Sequence, residues 1–257
     1  MYIYGKVIAD MIEKEKQGKS YRYNKHDRII LEAMISEINQ KLGTNLEYLC
    51  QIDFYSLKNC SDIILKYIHR FESEGVKGYL IPNLVVDKTE NIEEVILKLY
   101  FQFKNSEFYI SPANAPSSAH IYVRYDNAFR SLKPKKLKKE LFDLVSNPRD
   151  AAYLPLTVKM LSSWKIPEIK NLLLLYLDGS MITNDSIGIY TDGNYYPSLE
   201  NIKRQLKFTA IGGLKYYPTD EIIDIINGYT NNEDKDIAKA AKKSLEYIEK
   251  KKSERAK

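Results

Sequence analysis

The sequence predicts an all-α protein built of stacked helical hairpins. Three observations carry that expectation. Apolar residues recur at helical spacing through most of the chain, Gly and Pro punctuate it at short intervals, and the C-terminal half is similar to itself at fixed offsets. The 257 residues, 44% hydrophobic and 28% charged, suffice for one long domain or two short ones and exclude wholesale disorder. Eleven Gly and nine Pro exclude a collagen-like or low-complexity architecture.

Taken in order, Asp27 to Leu42 carries Ile30, Met34, Ile38 and Leu42 at i, i+4, i+8, with Leu31 and Ile35 beside them. Asp27 is its expected N-cap and Gly43 its stop. Ser61–Glu74 repeats the scheme through Ile64, Leu65, Ile68 and Phe71, capped by Ser61 and ended by Gly75. Thr89–Asn105 follows, with Thr89 as cap and Ile92, Val95, Ile96, Leu99, Tyr100 and Phe103 inward. Ser106 to Ala119 holds two prolines and four serines and reads as a loop. Tyr109-Ile110 and Ile121–Val123 lean towards strand on either side of it, but Tyr122, Tyr125, Phe129 and Leu132 fit a helix from Ala119 onward.

Pro134 suits the first turn of a helix to about Ser146, with Leu137, Leu141, Phe142 and Val145 inward. Asn147-Pro148 ends it, and Asp150 is expected to cap a helix through Trp164. Pro167 opens the next, which ends at Gly179 with Ile169, Leu172, Leu173 and Tyr176 as its buried side. Helices Leu199–Tyr217, Thr219–Tyr229 and Asp234 to about Lys251 complete the reading. The expected organisation is a helical half at 1–105, a seam at 106–118, repeats at 119–251 with an insertion at 179–200, and a tail at 252–257.

The repeat is the strongest signal. Leu161, Trp164, Glu168, Ile169, Leu172, Leu173 and Tyr176 overlay Leu214, Tyr217, Glu221, Ile222, Ile225, Ile226 and Tyr229, each pair 53 residues apart. Ala210 and Leu214 overlay Ala241 and Leu245 at an offset of 31, and the difference of 22 is the length of residues 179–200. A unit of about 31 residues therefore recurs three times, with an insertion in the middle copy. The pattern of Asp150–Tyr153, Thr209–Leu214 and Asp234–Leu245 resembles HEAT repeats, over about residues 134–251. It departs from them in the first copy, where Thr157 and Val158 stand in place of the expected alanines.

The resemblance implies an α-solenoid, an α–α superhelix, whose second helices line a concave face. That face would carry Lys159, Lys203, Arg204, Lys207, Lys239 and Lys243, a basic groove for another macromolecule. The chain has 39 Lys+Arg against 34 Asp+Glu, a net charge of +5, so placement of charge matters more than its total. The expected partner is a protein with an acidic surface, as for an adaptor or a bacterial immunity protein that neutralises a toxin. Nucleic acid is the second reading, which a similarity to the HEAT-like alkylpurine DNA glycosylases would accommodate with Asp150, Trp164, Tyr216 and Tyr217. Within the insertion, Tyr190, Asp192, Tyr195 and Tyr196 are the expected specific contacts, since tyrosines on a long loop are large amphipathic anchors. Most of the 21 tyrosines follow from an AT-rich composition. Lys133, Lys135, Lys136, Lys138 and Lys139 form a further basic run, read as an ordinary solvated surface.

No catalytic motif stands out, and the reading is non-catalytic. His26, His69 and His120 belong to no metal-ligand spacing, and Walker, dinucleotide and nucleophile-elbow motifs are missing, so neither metal nor cofactor is expected. Cys50 and Cys60 read as reduced buried thiols. The N-terminal residues lack secretory character, and the longest apolar run, Leu172–Leu177, is far short of the roughly 20 residues of a membrane span. A cytoplasmic protein is expected.

Overall fold

The described residues are predominantly helical, as the periodicity predicts. A computed structural model describes residues 13, 24–49, 51–52, 58–87, 89–106, 115–180, 182–183 and 199–255, with the backbone alone at 115–120 and 255. It contains twelve α-helices, and no strand occurs among the described residues. Contacts divide the chain into two compact units, Met1–Leu132 and Lys133–Lys257.

The first unit comprises α1 (Lys25–Leu42), α2 (Ser61–Ile68), α3 (Glu74–Val86), α4 (Ile92–Lys104) and α5 (Ala115–Leu132). Gly43 ends α1 at φ 64°, a left-handed conformation that costs glycine little. The cap at the other end is Asn24, whose side chain accepts from the Asp27 N–H at 2.8 Å, so Asp27 is not the cap. Asp27 is buried, and its carboxylate accepts from the N–H groups of Glu72 and Ser73 at 2.8 Å each. That contact turns the chain where the sequence predicts an unbroken helix: α2 stops at Ile68, and Ser73 caps a new helix that runs through Gly75.

Helix α3 escapes the sequence reading because Gly75, Gly78 and Pro82 look like breakers. Gly78 is instead a point of close approach, where a Cβ would lie 2.8 Å from Cγ1 of Ile121 on α5. Beyond α3, Asp87 accepts from the N–H groups of Asn59, Cys60 and Ser61 at 2.8–3.1 Å, supplying the cap that α2 lacks in its own sequence. Helix α4 begins at Ile92 after a left-handed Asn91, and Thr89 is not its cap. Tyr100 of α4 is fully buried and meets Phe103, Tyr122, Tyr125 and Phe129 edge-to-face, with centroids 5.2–6.4 Å apart. Ile121–Val123 is helical, and Tyr109-Ile110 lies outside the described residues.

The second unit opens with a 3-10 turn, Lys135–Leu137, and continues through α6 (Lys138–Val145), α7 (Pro148–Tyr153), α8 (Pro155–Ser163), α9 (Pro167–Asp178), α10 (Leu199–Leu214), α11 (Asp220–Gly228) and α12 (Lys235–Arg255). Pro134 precedes the turn, and Leu144 takes the inward place expected of the half-buried Phe142. The predicted helix Asp150–Trp164 is two helices. Pro155 has no N–H for the ladder and its ring opposes a preceding turn, so the break falls at Leu154. Asn147 caps α7 by accepting from the Arg149 and Asp150 N–H groups, and Asp150 is fully buried one turn inside. Gly179 ends α9 at φ 73° as expected, and Ile169, Leu172, Leu173 and Tyr176 are buried.

Helix α10 packs against α7, α8, α9, α11 and α12; α6 packs on α7 and α8, and α11 on α12. Close approach is again made by glycine, since a Cβ on Gly213 would meet Leu173 Cδ1 and Ser162 Oγ at 2.8 Å. Side-chain hydroxyls then tie segments that are distant in sequence. Tyr176 donates to the Val145 carbonyl, Tyr217 to Ile166 at 2.7 Å, and Ser244 to Ile211 at 3.1 Å. The 53-residue offset recurs in the backbone, because α9 opens at Pro167 and α11 at Asp220, and the turn bonds Trp164 N–H to Leu161 O and Tyr217 N–H to Leu214 O match. Thr157, Ala210 and Ala241, related by 53 and 31, are all fully buried.

Candidate binding surface

The candidate basic residues fall in three places within the second unit. Lys203, Arg204 and Lys207 rise from α10 into a cleft of about 380 Å³ closed by the end of α9 and the start of α12. Their charge is largely compensated. Arg204 bonds both Asp234, through Nε, and Asp236, through Nη2 at 2.7 Å. Asp234 in turn accepts from the Asp236 and Ile237 N–H groups, capping α12. Arg204 holds the Asp234 carboxyl below its ordinary range, and the two carboxylates raise the guanidinium. Lys203 lies 3.7 Å from Glu200, and the Lys207 ammonium sits 5.8 Å from the Tyr229 ring centroid. Asp178, Glu200 and Asp234 thus balance the three cations of this cleft.

Lys239 and Lys243 line a different concavity, of about 630 Å³, between Thr230–Asn232 and α12. Lys235 and Lys242 join them, opposed by Glu246. Positions 235, 239, 242 and 243 share one helix face, all four side chains are exposed, and none pairs with a carboxylate among the described residues. Uncompensated positive charge collects here, as it does at the exposed Lys133, Lys135, Lys136, Lys138 and Lys139 around the start of α6. Lys159 lines neither concavity. Its ammonium lies 4.8 Å from the Phe208 ring, and its stem crosses α10 so that Cε is 3.0 Å from where a Gly212 Cβ would be. Tyr190, Asp192, Tyr195 and Tyr196 lie outside the described residues.

Residues with catalytic potential are structurally engaged. Burial, then Asp87 and Asp62, pushes the Cys60 thiol up to about 11, far from a reactive thiolate. His69 is lowered by burial and then by Lys98 and Lys77, and His26 Nε2 is 3.3 Å from the Arg70 carbonyl. No group of three metal-binding side chains occurs among the described residues. The buried Asp150 presents no carboxylate to a bound base, and the Tyr217 hydroxyl is spent on Ile166. No described helix is long and apolar enough to cross a membrane. Compared with known family models, curated proteins and solved structures, the chain matches none.

Proposed function

We propose that this protein is a non-catalytic macromolecule binder whose second unit is a HEAT-like stack that captures an acidic protein, as an adaptor or a toxin-neutralising immunity protein does. The stack reading is supported by the contacts of α10 with both α8 and α12, and by the burial of Thr157, Ala210 and Ala241 at the repeat offsets. The class of function is an analogy of fold. The observation that carries the site is the row Lys235, Lys239, Lys242 and Lys243, exposed and without carboxylate partners among the described residues. Such a row attracts an acidic surface over a Debye length of about 8–10 Å and speeds capture.

Pull-down from native cells with the wild-type chain and with Lys239→Glu/Lys243→Glu tests it. Recovery of one stoichiometric acidic protein, lost on charge reversal with helicity unchanged, is the expected result. Recovery of the same partner by both chains overturns it. A nucleic-acid reading is favoured by one feature, the lack of any large apolar side chain in the row's concavity. It requires duplex or single-strand binding near about 50 mM salt that falls steeply by about 200 mM.

A further inference from the structure

A lysine-lined concavity attracts, but a protein interface also needs an anchor, a side chain or pocket whose desolvation rewards one partner geometry. The residues lining the concavity provide none. One feature beside it does. Lys215, just beyond α10, is half-buried and places its ammonium 5.2 Å from the Tyr216 ring centroid and 4.7 Å from that of Tyr247 on α12. The two rings meet edge-to-face at 5.5 Å. Lys243 stands one turn before Tyr247 and Lys239 two turns before, so the notch lies along α12 from the lysine row.

We propose that Lys215, Tyr216 and Tyr247 form a socket for a carboxylate of the acidic protein partner, a reading that rests on the function proposed above. A half-buried ammonium is ordinarily matched by a carboxylate or carbonyl; here two aromatic faces are its neighbours, and burial lowers its proton affinity. A carboxylate approaching Lys215 gives the ammonium its missing acceptor. The aromatic rings supply the amphipathic contact area typical of interface anchors.

The same geometry leaves less room for nucleic acid at this point. Base stacking needs an open ring face, and Lys215 covers one of the two on each tyrosine. A carboxylate ends its side chain, whereas a phosphodiester carries its chain on both sides. Phosphates are better served by the exposed row.

Binding of the full chain to fluorescein-labelled octaglutamate and to a labelled oligothymidine, followed by fluorescence anisotropy at low salt, separates these possibilities. Lys215→Met keeps the stem that packs on the rings and removes the charge. It is expected to weaken octaglutamate binding by about tenfold or more, as for other half-buried charge partners. Tyr247→Phe keeps the ring and should weaken it less, and Lys215→Met should leave any oligothymidine binding within about twofold. A second readout uses reductively methylated protein, in which saturating octaglutamate should raise the Lys215 dimethylamine titration midpoint. If Lys239→Glu/Lys243→Glu abolishes octaglutamate binding while Lys215→Met leaves it unchanged, the socket is wrong and the basic-row reading stands. If octaglutamate fails to bind the wild-type chain, both fall. Equal losses for peptide and oligothymidine on Lys215→Met would make the notch a general anion contact and overturn the carboxylate assignment.

Discussion

The two units differ in the side chains that bond to distant backbone groups. In Met1–Leu132, buried or half-buried carboxylates accept from backbone N–H groups far along the chain, Asp27 from Glu72 and Ser73, Asp87 from Asn59, Cys60 and Ser61. In Lys133–Lys257, neutral hydroxyls donate to backbone carbonyls, from Tyr176, Tyr217 and Ser244. The first scheme caps helix starts and so places corners. The second joins helices, or residues at their ends, that lie more than thirty residues apart.

The largest break in this comparison is expected at the aromatic centre of the first unit. Tyr100→Ala should cost about 3–5 kcal/mol, as large buried aromatics do, and raise amide exchange from α3 to α5 but not from α9 to α12. Protection lost equally in both units would show that they do not unfold separately. Asp27→Ala, which strands two N–H groups, should cost about 2–3 kcal/mol by urea unfolding. The counterpart in the second unit, Ser244→Ala, should cost only about 1 kcal/mol.

The smallest expected effect sharpens the contrast through pH. Burial works to raise the Asp87 carboxyl, but the N–H groups of Asn59, Ser61 and Cys60 outweigh it and hold it below the ordinary value. A depressed folded pKa contributes stability above the unfolded pKa of about 4 that is lost as pH falls through the lower folded value. Acid below about pH 4 should therefore loosen α2 and α3, and Asp87→Asn should flatten that dependence. The hydroxyl ties of the second unit do not titrate in that range; burial, then Glu168, pushes the Tyr217 phenol up to about 12.

Much of the second unit is legible in sequence, because its signals are local and periodic. Pro167 with Gly179, Thr219 before α11, and the offset of 53 from Pro167 to Asp220 each mark a boundary that the structure contains. Legibility fails where a distant residue decides. Nothing local in Ser61–Glu74 announces that Asp27, over forty residues away, will accept the N–H groups at which the chain turns. Gly78 and Pro82 look like breakers until Ile121 packs on the glycine. The candidate surface divides in the same way. Lysine counts mark α10 and α12 as basic, and folding neutralises Arg204 while leaving Lys235, Lys239, Lys242 and Lys243 exposed.

By itself, then, the sequence determines the helical character of the described residues, the repeat offsets of its C-terminal half, and the glycine stops at Gly43 and Gly179. Those depend on spacing along one strand of backbone, where i, i+3 and i+4 neighbours settle the matter. Only the tertiary structure decides where α2 ends, that α3 exists, which cations keep their charge open to solvent, and that Lys215 sits between two tyrosines. Each of these needs partners from separate helices brought within a few ångströms, and charge and burial take their values from that approach.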